Sequence, residues 1–114
     1  MNSKEEIKSE IKKLNDVLSN LISLKQITSK NNGATQIIGL IEELSSWLNV
    51  NSKYAKRYLD NEFYYGMNIT DGVEDLERYL NKTKGFSEES EFSDAVDKID
   101  NGINGIIFEL ERIS

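Results

Sequence analysis

The sequence predicts an all-α fold: four mostly antiparallel helices with short corners, forming a single helical domain over residues 1–114. Three observations lead there. Apolar residues recur at three- and four-residue steps in four separate stretches. The 114 residues contain no Pro to interrupt them. Between the stretches lie clusters of Asn, Ser and Gly, the residues of turns and caps.

The first helix reads from Ser3 to about residue 30. Ser3 and Glu6 have the spacing of a capping box. Ile7, Ile11, Leu14, Leu18 and Leu21 form the stripe, widened by Val17 and Leu24. The segment "SKNNG", 29–33, supplies the stop, with Gly33 or an Asn suited to the left-handed conformation. A shorter second helix, 34–48, carries Ile37, Ile41, Leu44 and Leu48, with Ala34 and Ile38 beside them. "NVNS", 49–52, reads as a turn, in which Asn51 or Ser52 caps the next helix.

The middle of the chain supports two patterns. As one helix from 52 to about 83, it lines Tyr58, Tyr65, Ile69, Val73, Leu76 and Leu80 along one face. Yet Phe63, Tyr65, Met67 and Ile69 also alternate with Tyr64, Gly66, Asn68 and Thr70, which is strand periodicity. The helix is preferred, because no second strand exists to pair with, and a break between Gly66 and Gly72 stays open. In "TKGFSEES", 83–90, Gly85 ends a helix and Ser87 caps the next. The last helix, 88–113, carries Phe92, Val96, Ile99, Ile103, Ile106 and Leu110.

Composition excludes several functions. There is no Cys and no His, so disulfides, thiolate metal sites, thiol nucleophiles and the usual general base are all missing. The net charge is −6, and phosphate repels such a chain, which argues against direct nucleic-acid binding. Residues 1–30 carry six Lys against four acids, whereas residues 71–114 carry twelve acids against five Lys or Arg. That asymmetry suits antiparallel packing of the first and last helices, and it leaves an acidic face for a basic partner. No apolar run approaches the ~20 residues of a membrane span. "MNSKEEIKSEIKKL" lacks the apolar core of a signal peptide. The expected location is the cytoplasm, or outside the cell after export by a route without a cleaved signal.

The acids invite one enzymatic reading. All-helical nucleotide pyrophosphatases hold magnesium with a Glu-Glu-x-x-Glu run and a later Glu-x-x-Asp. Glu42 and Glu43 begin such a run, but Ser46 breaks it, and Glu91-x-x-Asp94 is a common match in an acidic helix. Magnesium needs several converging carboxylates. A solvated acidic face is the simpler account, so no metal, cofactor or catalytic residue is expected. Asp94, Asp97 and Asp100, with Glu91, make a row that is either solvated surface or a set of charges imitating DNA phosphates or gripping a basic partner.

Two features point instead to protein contacts. Gly102 and Gly105 fall inside the last helix, where each is unfavourable by about 1 kcal/mol relative to Ala. Close approach by a neighbouring helix, from this chain or a partner, compensates for that; a kink is the other account. "SSWLNVNSKYAKRYLDNEFYYG", 45–66, holds six of the ten aromatic residues: Trp47, Tyr54, Tyr58, Phe63, Tyr64 and Tyr65. They are either corner and core residues or a docking surface. Consecutive helical residues point about 100° apart, so Tyr64 and Tyr65 cannot both face one core. Tyr58 and Tyr65 belong on the buried face, with Tyr54 and Tyr64 nearer the outer side.

A helix, then Trp47-Leu48-Asn49, then a helix opening at Ser52, resembles the corner of the WXG-type small helical proteins of type VII secretion. Asn49 stands where the motif has glycine. The layout is similar to the small helical partners encoded beside LXG toxins. That resemblance implies a targeting factor or chaperone packed on the toxin's helical N-terminal region. Tyr58-x-x-x-Glu62 has the spacing of that family's export signal but lies mid-chain, so the signal is not carried over.

The expected function is therefore a non-catalytic protein-binding module, monomeric or part of a homo- or hetero-oligomer. It would meet a helical partner through Trp47, Tyr54, Phe63, Tyr64, Gly102 and Gly105. The alternatives are an immunity or antitoxin protein, an acidic phage-type inhibitor, and a carboxylate-metal enzyme.

Overall fold

A computed structural model describes residues 3–27, 29–60, 62–81 and 89–114. It contains four α-helices: α1 (Ser3–Lys25), α2 (Lys30–Asn51), α3 (Tyr64–Asn81) and α4 (Glu89–Ile113), with a 3-10 turn over Ala55–Leu59 between α2 and α3. No strand occurs among the described residues. The helices run up, down, up and down, in a body measuring 52 × 27 × 22 Å. Each helix packs on the next and α4 returns to α1, with α3 and α4 the most extensively joined pair.

One continuous core draws on all four helices. Leu14 and Leu21 come from α1, Ile37 and Leu44 from α2, Leu76 from α3, and Ile99 and Ile106 from α4, all at most 1% exposed. The stripes read from the sequence are thus the faces that meet. Lys25 reaches Asp97 across the α1–α4 seam at 2.8 Å, which places the basic first helix antiparallel to the acidic last one.

The helix ends differ from the sequence reading. α1 stops at Lys25 because Ser29 starts α2: its hydroxyl accepts from the Asn32 amide at 3.3 Å. Gly33 is therefore no left-handed stop. It lies in α2's first turn, buried, where a Cβ would come within 3.0 Å of the Leu24 carbonyl and 3.2 Å of the Phe92 ring. At its other end α2 continues through the expected turn at Asn49 to Asn51, and the chain leaves the helix at Ser52 (φ −93°, ψ 139°).

The single helix expected from 52 to 83 is in fact divided, and earlier than the glycines. Asp60 turns the chain, its Oδ1 accepting from the Glu62 amide at 3.0 Å and its carbonyl from the Phe63 amide at 3.0 Å. This side-chain turn is a local alternative to helix that Asp offers readily. From Tyr64 onward the helix is unbroken through Gly66 and Gly72, so the alternation over 63–70 makes no strand. The corner assigned to Gly85 and Ser87 lies outside the described residues.

Candidate protein-docking surface

The aromatic corner rests on a buried carboxylate. Glu10 interrupts the apolar face of α1 between Ile7 and Leu14 and is only 2% exposed. Its Oε1 accepts from the amides of Ala55 (2.7 Å) and Tyr54 (3.2 Å), and its Oε2 from the Lys53 amide (3.1 Å). The Ser52 hydroxyl donates to Oε1 as well. That hydroxyl oxygen in turn accepts from the Lys56 amide at 3.0 Å. The successive amides that open the 3-10 turn thus converge on one anion, which satisfies donors that have no helical partner. A second strap lies beside it: Lys53 pairs with Glu6 at 3.1 Å. The hydrogen bond from Lys53 to Glu6, reinforced by that carboxylate's charge, raises Lys53 above the usual lysine range.

Above this clamp the rings pack on one another. Tyr58 meets Phe63 edge-on at 5.3 Å and Tyr65 at 6.5 Å between ring centroids. Arg57 lies over both Tyr58 (5.5 Å) and Phe63 (5.8 Å). Tyr64 stands 6.2 Å from Tyr65, also edge-on. Edge-to-face pairs and a cation over a ring face are each favourable geometries. Much of the aromatic crowding is therefore a self-packed cap over the start of α3.

The helix glycines form the seam between α3 and α4. A Cβ on Gly105 would collide with the Cδ1–Cε1 edge of the Tyr65 ring, and one on Gly102 would lie 2.6 Å from Ile69 Cγ1 and 2.7 Å from the Tyr65 carbonyl. On the opposite side, a Cβ on Gly72 would lie 2.8 Å from the Ala95 carbonyl. The glycines let two backbones approach within the chain, and the cost of each is offset by that contact. Tyr65 then reaches past Gly105 to donate to Glu109 at 3.4 Å. Glu109 also binds Arg112 at 2.5 Å; this hydrogen bond, with the carboxylate's charge, raises the Arg112 guanidinium further above its ordinary value.

The six residues assigned to partner contact are distributed unequally. Trp47 sits within the last two turns of α2, half-buried, with the Lys13 ammonium 5.5 Å from its ring centroid. Tyr54, placed nearer the outside by the sequence, is half-buried against the core, because the clamp on its amide turns the chain inward. Phe63 is half-buried. Gly102 is buried, and Gly105 is occupied by Tyr65. Tyr64 alone of the six lies on the surface, 71% exposed. Tyr58 and Tyr65, expected to be buried, are half-buried against the core.

Two further residues join Tyr64 outside. Met67, one turn along α3, is 46% exposed, and Phe108, one turn beyond Gly105 on α4, is 62% exposed. Tyr64 and Met67 thus stand on the outside of α3, and Phe108 on the outside of α4. The sequence carries a signal for Phe108, since it is a large aromatic off the Ile103–Ile106–Leu110 stripe. Glu10 carries one too, as a lone acid on an otherwise apolar face.

A second surface feature is a groove of about 530 Å³ between α2 and α3. Ile38, Ile41, Ile69 and Val73 line it, and Glu42, Glu74 and Glu77 also belong to its walls. Along α4, by contrast, Asp97 of the acidic row is held by Lys25, and Lys98 beside it reaches Asp75 on α3 at 2.6 Å. Among the described residues no group of three or more Asp or Glu is placed to hold a metal ion. None of the described helices is long and apolar enough to cross a membrane.

The chain matches no protein-family model, and no curated protein or solved structure matches it.

Proposed function

We propose that this chain is a non-catalytic protein-binding module that pairs with a helical partner. The single observation carrying the reading is the exposure of large apolar side chains on the outer faces of α3 and α4, Tyr64 foremost. Tyr64, Met67 and Phe108 stay outside the buried core, as the aliphatic Ile22, Val50 and Ile113 also do, and two of the three are aromatic. Tyrosine and phenylalanine held on rigid helices contribute apolar contact area at little entropic cost, as interface anchors do.

The layout that resembles the small helical partners of LXG toxins names the class of partner: the helical N-terminal region of a secreted toxin, which this chain would accompany as a targeting factor or chaperone. The test is co-expression with such a region from a neighbouring gene, followed by co-purification and calorimetry. Stable binding weakened by Tyr64→Ala and Phe108→Ser supports the reading. Binding indifferent to both substitutions, or no complex, removes it.

A further inference from the structure

The α2–α3 groove gathers three carboxylates, whereas the cation-free depression between α1 and α2 has only Glu43. At the α1–α2 seam Lys13 covers the Trp47 ring. At α1–α4, Lys25 meets Asp97. At α3–α4, Lys98 meets Asp75. Each seam thus sets a cation against an anion or a ring. The α2–α3 groove is lined by no Lys or Arg, and its walls carry Glu42 from one helix and Glu74 and Glu77 from the other. None of these three carboxylates forms an ion pair with another of the described residues. Glu74 and Glu77 are also a like-charged i,i+3 pair, unfavourable when left alone.

The floor is apolar and incompletely covered. Ile41 and Ile69 are buried at its base, while Ile38 and Val73 are only half-buried. On α3 the lining runs from Gly66 to Glu77, which at 1.5 Å per residue spans roughly 16 Å, or about three helical turns. A floor of that length fits the apolar stripe of a helix with anchors at i, i+4 and i+7. The acids beside the floor, without an ion-pair partner among the described residues, fit cations flanking that stripe.

We propose that this groove receives an amphipathic helix whose apolar stripe is flanked by Lys or Arg. The proposal rests on the reading of the chain as a protein-binding module, but it uses a different face from that of Tyr64. The partner's charged heads would meet Glu42 on one side and Glu74 and Glu77 on the other. Its aliphatic side chains would enter between Ile38 and Val73. Selectivity comes from the carboxylates, because an acidic helix of equal hydrophobicity would add like charges to an unneutralised set.

The experiment uses two synthetic amphipathic helices with the same leucine stripe, one flanked by lysines and one by glutamates. Each is titrated into the full chain and monitored by amide chemical shifts. The lysine peptide should perturb α2 and α3 around Ile38, Ile41, Ile69 and Val73, and bind at least about tenfold more tightly than the glutamate peptide. The triple substitution Glu42→Lys, Glu74→Lys and Glu77→Lys should reverse that preference, on a surface whose substitution leaves the core intact. Equal binding of both peptides, no binding, or shifts confined to the α4 acids would overturn the proposal. So would sedimentation showing a dimer closed across this groove, which would make a second copy the occupant. Tyr64→Ala should leave lysine-peptide binding unchanged. If the groove peptides fail while the toxin region still binds through Tyr64, only the groove proposal falls.

Discussion

Glu10 Oε1 accepts the Ala55 amide at 2.7 Å, joining residues 45 apart in the chain. The bond fixes where α2 ends and how the chain enters the aromatic corner. Glu10→Ala would leave the Ser52 hydroxyl and the amides of 53–55 without their acceptor in a largely water-free place. The expected loss is about 3–5 kcal/mol. Glu10→Gln keeps the shape but replaces one acceptor with a donor, and should cost less, roughly 1–2 kcal/mol. Urea unfolding of the two variants measures both, and equal stability of all three proteins would show that the clamp contributes nothing.

Gly105 and Gly39 should respond oppositely to alanine. Gly105→Ala drives a methyl against the edge of the Tyr65 ring, and overpacking of that kind costs about 1–3 kcal/mol. A Cβ on Gly39 would meet nothing within 4 Å, so Gly39→Ala should stabilise the chain by about 0.5–1 kcal/mol through helix propensity. Combining Gly105→Ala with Tyr65→Ala should cost less than the sum of the two, because the ring that clashes is gone. Strict additivity in a double-mutant cycle would contradict the notch.

Neighbouring tyrosines should separate stability from binding. Tyr65→Ala removes a ring packed between Tyr58 and Gly105, and should destabilise the fold by roughly 3 kcal/mol. Tyr64→Ala removes an exposed ring, and should move the melting temperature by no more than about 2 °C. It should nevertheless weaken partner binding by at least about 1 kcal/mol. Similar losses of stability in both, with binding intact, would make the whole aromatic stretch a cap and nothing more.

Divalent cations should bind weakly. Ser46 interrupts the first acidic motif, and Glu91 and Asp94 stand near Arg78 and Lys98 in one surface depression, where the cations offset their field. Calorimetry with magnesium or manganese should show no micromolar event. Micromolar affinity lost in Asp94→Asn would instead locate a metal site on α4.

The amino-acid pattern alone determined the helices and which of their faces meet. The stripes through Leu14, Ile37, Leu76 and Ile103 are periodic at 3.6 residues, and burying such a stripe is the dominant gain for an isolated helix of this length. The outward position of Tyr64 also arises locally, from its 100° offset to Tyr65. The corners were decided by tertiary structure. Asn49 has the propensity of a turn residue, but the chain stays helical to Asn51, where the Glu10 carboxylate waits to take the amides of 53–55. Asp60, rather than Gly66, breaks the middle segment, and Gly66 instead lets the turn pack on the first turn of α3: a Cβ there would strike the Asp60 carbonyl and lie 2.6 Å from the Leu59 carbonyl oxygen. Gly102 and Gly105 signalled close approach, while which helix approached depended on the register of α3 against α4. Periodicity is a property of one segment and can be read from it. A clamp such as Glu10–Ala55, a notch such as Gly105–Tyr65 and an acidic groove such as that between Glu42 and Glu74 exist only once two distant segments are brought together.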